Sequence, residues 1–460
     1  METQDEKGRS VSGRVLGIVG APLFLIAVAA LAVRLVLMPL FTYDFDIYHW
    51  GVVIQNIDSG NNLYNIAGYY YTPVWGYILG ALSSVQHVFG PDMFGARFTD
   101  LLPIEDLAIS WHTATTVTTG FVVFMKIPLI LCDMAVAYLL HWIVMDRTGD
   151  KKKSMMAVGL WLFCPTVIYM SGVQAQFDTI SALFMLLMAI AIYKDRCFLG
   201  GMLFSAAFLL KFFPGFCFFV IIAYILVRHR GDGLAKRKLA FAILGGALMA
   251  AVILIPQILT GTVMDTLSFM TGRMETYSSI WMSIAGYAAM VIAVSGAMYF
   301  GYRMYRSEEK DADRQFFTYL FLALTMAMFL SIAPQYMIVM LPLLIFGAVV
   351  RDRRLMVPLV IIAIGSFFAA LSLNNLSLLA SASEFLGLAS PEWIISGMQM
   401  LEVRILGITL VEWMNLIANI VEYAGLVMIV VLHFEKQIVS ARPSLGRLMI
   451  KLYGGREVVE

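Results

Sequence analysis

The sequence predicts an all-α polytopic membrane protein, and three observations carry that prediction. Of 460 residues, 60% are hydrophobic and 14% are charged, against roughly a quarter charged in an average soluble domain. The mean hydropathy is +0.82. Apolar stretches of about 15 to 30 residues recur along the chain, each long enough, or nearly so, to cross about 30 Å of hydrocarbon as a helix. The net charge of +1 offers no basic excess for nucleic acid and no acidic block for a disordered tail.

The elements follow from polar punctuation. A polar N-terminus, 1–14, precedes an apolar run over 15–41. That run is too long for the h-region of a cleaved signal peptide, although Val28 to Ala32 offers small residues. Residues 42–119 make the longest non-cytoplasmic piece and are expected to hold interfacial or re-entrant helices. Lys/Arg-rich segments at 146–153, 194–196, 228–238, 303–314 and 351–354, with the tail from Lys436, belong on the cytoplasmic side. Alternating the runs between them places crossings at about 15–40, 120–145, 155–172, 177–193, 197–211, 213–227, 239–260, 279–302, 316–333, 335–350, 355–375 and 403–433. This gives about twelve crossings with both termini cytoplasmic, or about fourteen if Pro73 to Phe89 and a stretch near 107–125 also span. The core is expected over 120–350, further helices over 351–433 and a cytoplasmic tail over 434–460. Phe212-Phe213-Pro214-Gly215 supplies a break in the middle of 197–227. The four cysteines lie in apolar runs without metal-ligand spacing and read as packing residues.

Candidate chemistry gathers at the outer face. Tyr43-Asp44-Phe45-Asp46-Ile47-Tyr48-His49-Trp50 follows the first run directly. Two carboxylates at i and i+2 suit a general base, a divalent cation such as Mn or Mg, or both. The competing reading is that they cap the following interfacial helix. Gly60 to Tyr64 and Tyr69-Tyr70-Tyr71-Thr72-Pro73-Val74-Trp75 add aromatic rings that suit either a membrane interface or a sugar pocket. Arg34 and Lys211 stand near outer helix ends, where they suit a lipid phosphate or snorkel to the interface. Lys126 enters another run, and Asp133, deeper in it, is expected to pair structurally. Gly172 to Asp178, with Gln174 and Gln176, and Pro334-Gln335-Tyr336 form tight outer turns; the outer loop 262–278 adds Asp265, Arg273 and Glu275. The six histidines are scattered, and the sequence holds no H-E-x-x-H, Walker A or G-x-S-x-G pattern.

Taken in order, Arg34, Asp44-Phe45-Asp46-Ile47-Tyr48, Gly60 to Tyr64, Tyr71-Thr72-Pro73 and Lys126-Ile127-Pro128 to Asp133 resemble the GT-C superfamily of polyprenyl-phosphate-sugar glycosyltransferases. In that order they look like the catalytic subunit of GPI mannosyltransferase I. Trp161 to Pro165 with Gln176-Phe177-Asp178-Thr179 more closely resembles the alpha-glucosyltransferases of N-glycan assembly and related prokaryotic (bacterial or archaeal) mannosyltransferases, and Lys211 to Pro214 and Gln335-Tyr336 recur in these relatives. The resemblance runs over about residues 30 to 350. It implies a GT-C-like helical bundle that transfers a hexose, mannose first, from a polyprenyl (dolichyl) phosphate sugar to a glycolipid or lipid-linked glycan, with inversion. In that scheme Asp44 or Asp46 is the base, and Arg34, Lys211 and Arg273 bind the lipid phosphate. Tyr48, His49, Tyr71, Gln176, Asp178, Gln335 and Tyr336 line the substrate site. A divalent cation at Asp44 and Asp46 and a small membrane partner subunit stay open. So do the rival readings of a lipid or lipid-linked sugar transporter and a non-catalytic subunit of a glycosylation complex.

Overall fold

The computed structural model describes residues 22–66, 69, 71–90, 95, 98–100, 115–265, 280–330, 333–379, 381–382, 386–387 and 391–441. The chain is built of helices, and only two minimal antiparallel strand pairs interrupt them among the described residues. Helix α1 (Pro22–Leu40) leads into α2 (Asp44–Asp58) and α3 (Pro73–Phe89). Strand β1 (Phe98–Asp100) pairs with β2 (Thr115–Val117) just before α4 (Thr119–Thr148). Gly149 in the left-handed region closes α4, and Asp150 caps α5 (Lys151–Leu162) by accepting from the amides of Lys152 and Lys153 at 2.8 and 3.2 Å. A short helix, α6 (Pro165–Ile168), runs into a π-turn over Tyr169–Gln174. Then come α7 (Asp178–Tyr193), α8 (Cys197–Leu210), a 3-10 turn over Phe213–Cys217 and α9 (Phe218–Arg228). The second half holds α10 (Ala235–Leu259), α11 (Ile280–Tyr305), α12 (Glu309–Met328), α13 (Met337–Val350), α14 (Met356–Asn374), α15 (Pro391–Leu401) and α16 (Leu410–Ala441).

Several long apolar helices mark a multi-pass membrane protein, but the predicted count of about twelve, up to fourteen, crossings is corrected. Five described helices are long and apolar enough to cross: α1, α4, α10, a stretch over Arg353–Leu373 and one over Leu410–Glu435. A sixth arises if α5 and Pro165–Gln174, bent by 50° at their junction, form one span. The apolar runs at 177–193, 197–211, 213–227 and 335–350 instead fold as the shorter segments Asp178–Tyr193, Cys197–Leu210, Phe213–Arg228 and Pro334–Val350. At about 1.5 Å per residue none reaches the roughly 30 Å of a hydrocarbon core. Prolines at the first turn of the segments beginning at Phe213 and Pro334 fix the breaks, because that ring cannot continue a preceding helix. For the last of these runs hydropathy misleads for a physical reason: a helix surrounded by other helices is apolar all round, as a lipid-facing one is. In α13 every side chain from Met337 to Val349 is buried, so its hydrophobicity answers protein rather than lipid. The alternative crossing near 107–125 is also displaced, since residues 115–117 are a strand paired back to 98–100.

Two apolar clusters organise the molecule. The larger joins α4, α5, α7, α9, α12 and α13 with the C-terminal helices. The smaller joins α2, α3 and the start of α4 with Ala175, Phe177, Ile180 and Leu210. Close approaches without a Cβ bring α8 against α10: a side chain at Gly201 or Gly245 would strike the backbone of Ala242 or Phe198. Three of the four cysteines are buried and Cys132 is half-buried, as packing residues would be.

Candidate active site

The site is assembled where the first two helices meet the turn before α7. The chain leaves α1 at Leu40 and restarts as α2 with Tyr43 as its N-cap, whose side chain makes no capping bond. Asp46 therefore sits in the first turn of α2, where the partial positive charge of unpaired amides favours an anion. Its Oδ2 accepts from Gln174 Nε2 at 3.5 Å and from Gln176 Nε2 in a shorter bond. Both glutamines point the same way because Ala175 between them is left-handed, at φ 59° and ψ 40°. The Gln176 amide donates back to Met170 O at 2.9 Å, locking the turn against the π-helical residues.

The same turn starts α7 at Asp178, and Asp178 meets the end of α8. Lys211, extended at φ −146°, brings Nζ to 3.3 Å from Asp178 Oδ1. Its ammonium lies over three rings: Phe177 at 4.2 Å, Tyr336 at 4.8 Å and Tyr71 at 5.6 Å from their centroids. A buried cation so placed is stabilised by ring quadrupoles and by one carboxylate. Behind the cage, Trp75 stacks on Phe177 at 4.4 Å, and Trp50 meets Tyr71, Trp75 and Phe177 edge-on at 5.2 to 5.9 Å. Tyrosine hydroxyls pin the intervening loop: Tyr69 donates to Thr72 O at 2.9 Å and accepts from the Gly76 amide at 2.8 Å, while Tyr64 donates to Tyr71 O at 3.2 Å. Thr72 donates to Leu209 O, tying the loop to α8 directly before Lys211.

Burial pushes the Asp46 carboxyl up, from an ordinary 3.8 to about 6. The two glutamine bonds and the charge of Lys211 oppose the shift, and the like charge of Asp178 adds to it. Asp46 is thus a carboxylate that is ionised near neutral pH yet holds a proton more firmly than an exposed one, which suits a general base.

The structure brings together Asp46, Gln176, Asp178, Lys211, Tyr71 and Tyr336 of the residues selected from sequence. Gln335 lies half-buried in the 3-10 turn beside Tyr336. Tyr48 and His49 follow on α2, half-buried, and the His49 ring packs on Trp50 at 5.2 Å. Asp44 begins α2, but its side chain lies outside the described residues, as does all of Arg273. Among the described residues no group of three or more His, Cys, Asp or Glu is gathered as a metal ion would need. Arg34 is placed elsewhere. It is wholly buried, with Nε 2.8 Å from Asp133 Oδ2 and Nη1 donating to Leu162 O at 2.9 Å and Ala30 O at 3.2 Å. Ser171 Oγ reaches the same Asp133 oxygen at 2.5 Å. Lys126 is also committed, donating to Met38 O, Phe41 O and Thr42 Oγ1 at 2.6 to 2.9 Å. Gln174 and Phe177 are the members that sequence reasoning left out of the site. An alanine in the left-handed region is foreshadowed by nothing local, since glycine or asparagine ordinarily marks it.

No protein-family model matches this chain, and no curated protein matches it. The class defined by the fold is that of a multi-pass helical membrane protein.

Proposed function

We propose that the protein is a membrane glycosyltransferase that moves a hexose, mannose foremost, from a polyprenyl-phosphate donor to a lipid-linked glycan or glycolipid acceptor on the non-cytoplasmic face. The observation that carries the reading is the Asp46 cluster: a carboxylate raised to about 6, oriented by two amides, beside a caged ammonium at the end of two helices. In the proposed reaction Asp46 takes the proton of an acceptor hydroxyl as its oxygen bonds to C1 of the sugar. The C1–O bond to the lipid phosphate breaks on the opposite side, so the anomeric centre inverts and the electron pair leaves with the phosphate. Growing negative charge there is met by the Lys211 ammonium, whose aromatic walls keep water away and so strengthen the interaction. Tyr71, half-buried at the edge of the cage, offers an aromatic ring to a sugar, while the buried Phe177 and Tyr336 hold the ammonium.

The resemblance of the residues from Arg34 to Tyr336 to GT-C enzymes supports the same reading, and the lipid donor matches a site that stands beside membrane helices. The test is transfer of labelled mannose, then glucose, from polyprenyl-phosphate donors in membranes holding equal amounts of wild type and Asp46→Asn. Loss of at least about 100-fold in the variant is expected, the usual scale of a general base. Unchanged transfer removes Asp46 from the chemistry, and absence of transfer with either donor in the wild type returns the question to a transporter or a non-catalytic subunit.

A further inference from the structure

A second site of contact lies far along the chain, between α15 and α16. Strand β3 (Arg404–Ile405) pairs with β4 (Ile408–Thr409) in register Arg404 to Thr409 and Ile405 to Ile408. The two residues that join them, Leu406 and Gly407, both have positive φ, at 56° and 84°. That is the backbone of a two-residue hairpin turn whose first position ordinarily takes Asn, Asp or Gly. A leucine there accepts backbone strain, and it does so at 89% exposure. Val403 and Ile405 beside it are exposed as well, as are Trp393 and Met400 on the preceding α15.

The hairpin is held rigidly to the start of a membrane span. Trp413 Nε1 donates to Ile405 O at 2.9 Å, and the Leu410 amide donates to Val403 O at 3.1 Å. Thr409 and Glu412 form a reciprocal capping box on α16, with the Thr409 amide donating to Glu412 Oε2 at 2.8 Å and the Glu412 amide donating to Thr409 Oγ1 at 3.2 Å. The exposed apolar surface then continues along the span through Met414, Ile417 and Ile420. Glu402 and Arg404 place charge at the stem, where headgroups would meet it.

We propose that this hairpin is a membrane-inserting wedge, with Ile405 and Leu406 entering the bilayer leaflet at the N-terminal end of α16. The occupant is lipid because the apolar tip is continuous with the lipid-facing side of the span and fixed to its first turn. Apolar side chains at such a tip gain by leaving water, and the charged stem holds the depth at the headgroup boundary.

The experiment places a nitroxide at Leu406→Cys in the full chain, with Cys132, Cys164, Cys197 and Cys217 replaced by alanine, in phosphatidylcholine nanodiscs. Collisions with oxygen are compared with collisions with a neutral nickel chelate, and Glu402→Cys serves as the headgroup reference. Insertion predicts an oxygen-to-nickel ratio several-fold higher at 406 than at 402. A ratio at 406 no higher than at 402 overturns the proposal and leaves the tip in water, open to a protein partner. Hydrogen exchange of the unmodified chain in the same nanodiscs checks the result without substitution. The Leu406 and Gly407 amides should exchange at least tenfold slower than free peptide if inserted, and exchange at the free-peptide rate would overturn it.

Discussion

Asp46 is a residue whose proposed role opposes stability, and the sign can be worked out. Its folded pKa of about 6 lies above the ordinary 3.8, so the folded chain binds the proton more tightly than the unfolded one. Stability is therefore highest below about pH 4 and falls as pH rises through 6, by up to about 3 kcal/mol for this group alone. Asp46→Asn should accordingly raise the thermal midpoint at neutral pH while transfer collapses; a lower midpoint would mean that the carboxylate is a structural partner. Arg34 makes the opposite case. Arg34→Met leaves Asp133 buried without its ion pair and should cost about 3 to 5 kcal/mol, much of it recovered by adding Asp133→Leu, as read by denaturation in detergent. A binder of lipid phosphate would instead lose activity before stability.

Two elements decide where Asp46 stands. The last carbonyls of a helix lack partners within it, and Lys126 supplies a charged donor to Met38 O near the end of α1 and to Phe41 O just beyond it. Lys126→Met should destabilise by about 1.5 to 3 kcal/mol, the worth of bonds to a charged donor, and should lower transfer because α2 begins a few residues later. The turn before α7 holds its geometry against backbone strain at the buried Ala175, so in Ala175→Gly relief of strain is offset by the lost methyl contact and a freer unfolded chain; stability should change by less than about 1 kcal/mol with transfer unchanged, a result that calorimetry and assay check together. These elements also show what the sequence could express. Asp46, Gln176, Asp178, Lys211 and Tyr336 were legible as polar or aromatic residues concentrated at helix ends. The Arg34 partnership was not, because helix-end position marks a charge equally for phosphate, snorkelling or a buried carboxylate 99 residues away. Gln174 stands in a turn the sequence already marks, but its convergence with Gln176 on Asp46 was not legible, because which of several adjacent turn residues share a direction depends on one φ angle.

At the scale of the molecule, the periodic apolar runs revealed a helical membrane protein but not its number of crossings. A run such as 335–350 has the hydropathy of a span, whereas α13 is a short helix enclosed by the bundle. A topology with Asp46 on the non-cytoplasmic side predicts that Asn61→Cys reacts with an impermeant maleimide from outside intact cells, whereas Lys152→Cys reacts only after lysis. The reverse pattern would put the proposed chemistry on the cytoplasmic face. The central claim, that an Asp46 anion held by two amides accepts a proton in sugar transfer, is tested most directly by the rate from about pH 5 to about pH 8 for wild type and Gln176→Leu. The expected profile has an acid limb with its half-point near 6 in the wild type, shifted upward in Gln176→Leu because a bond stabilising the anion is gone. A flat profile, or a limb that Gln176→Leu leaves in place, would contradict it.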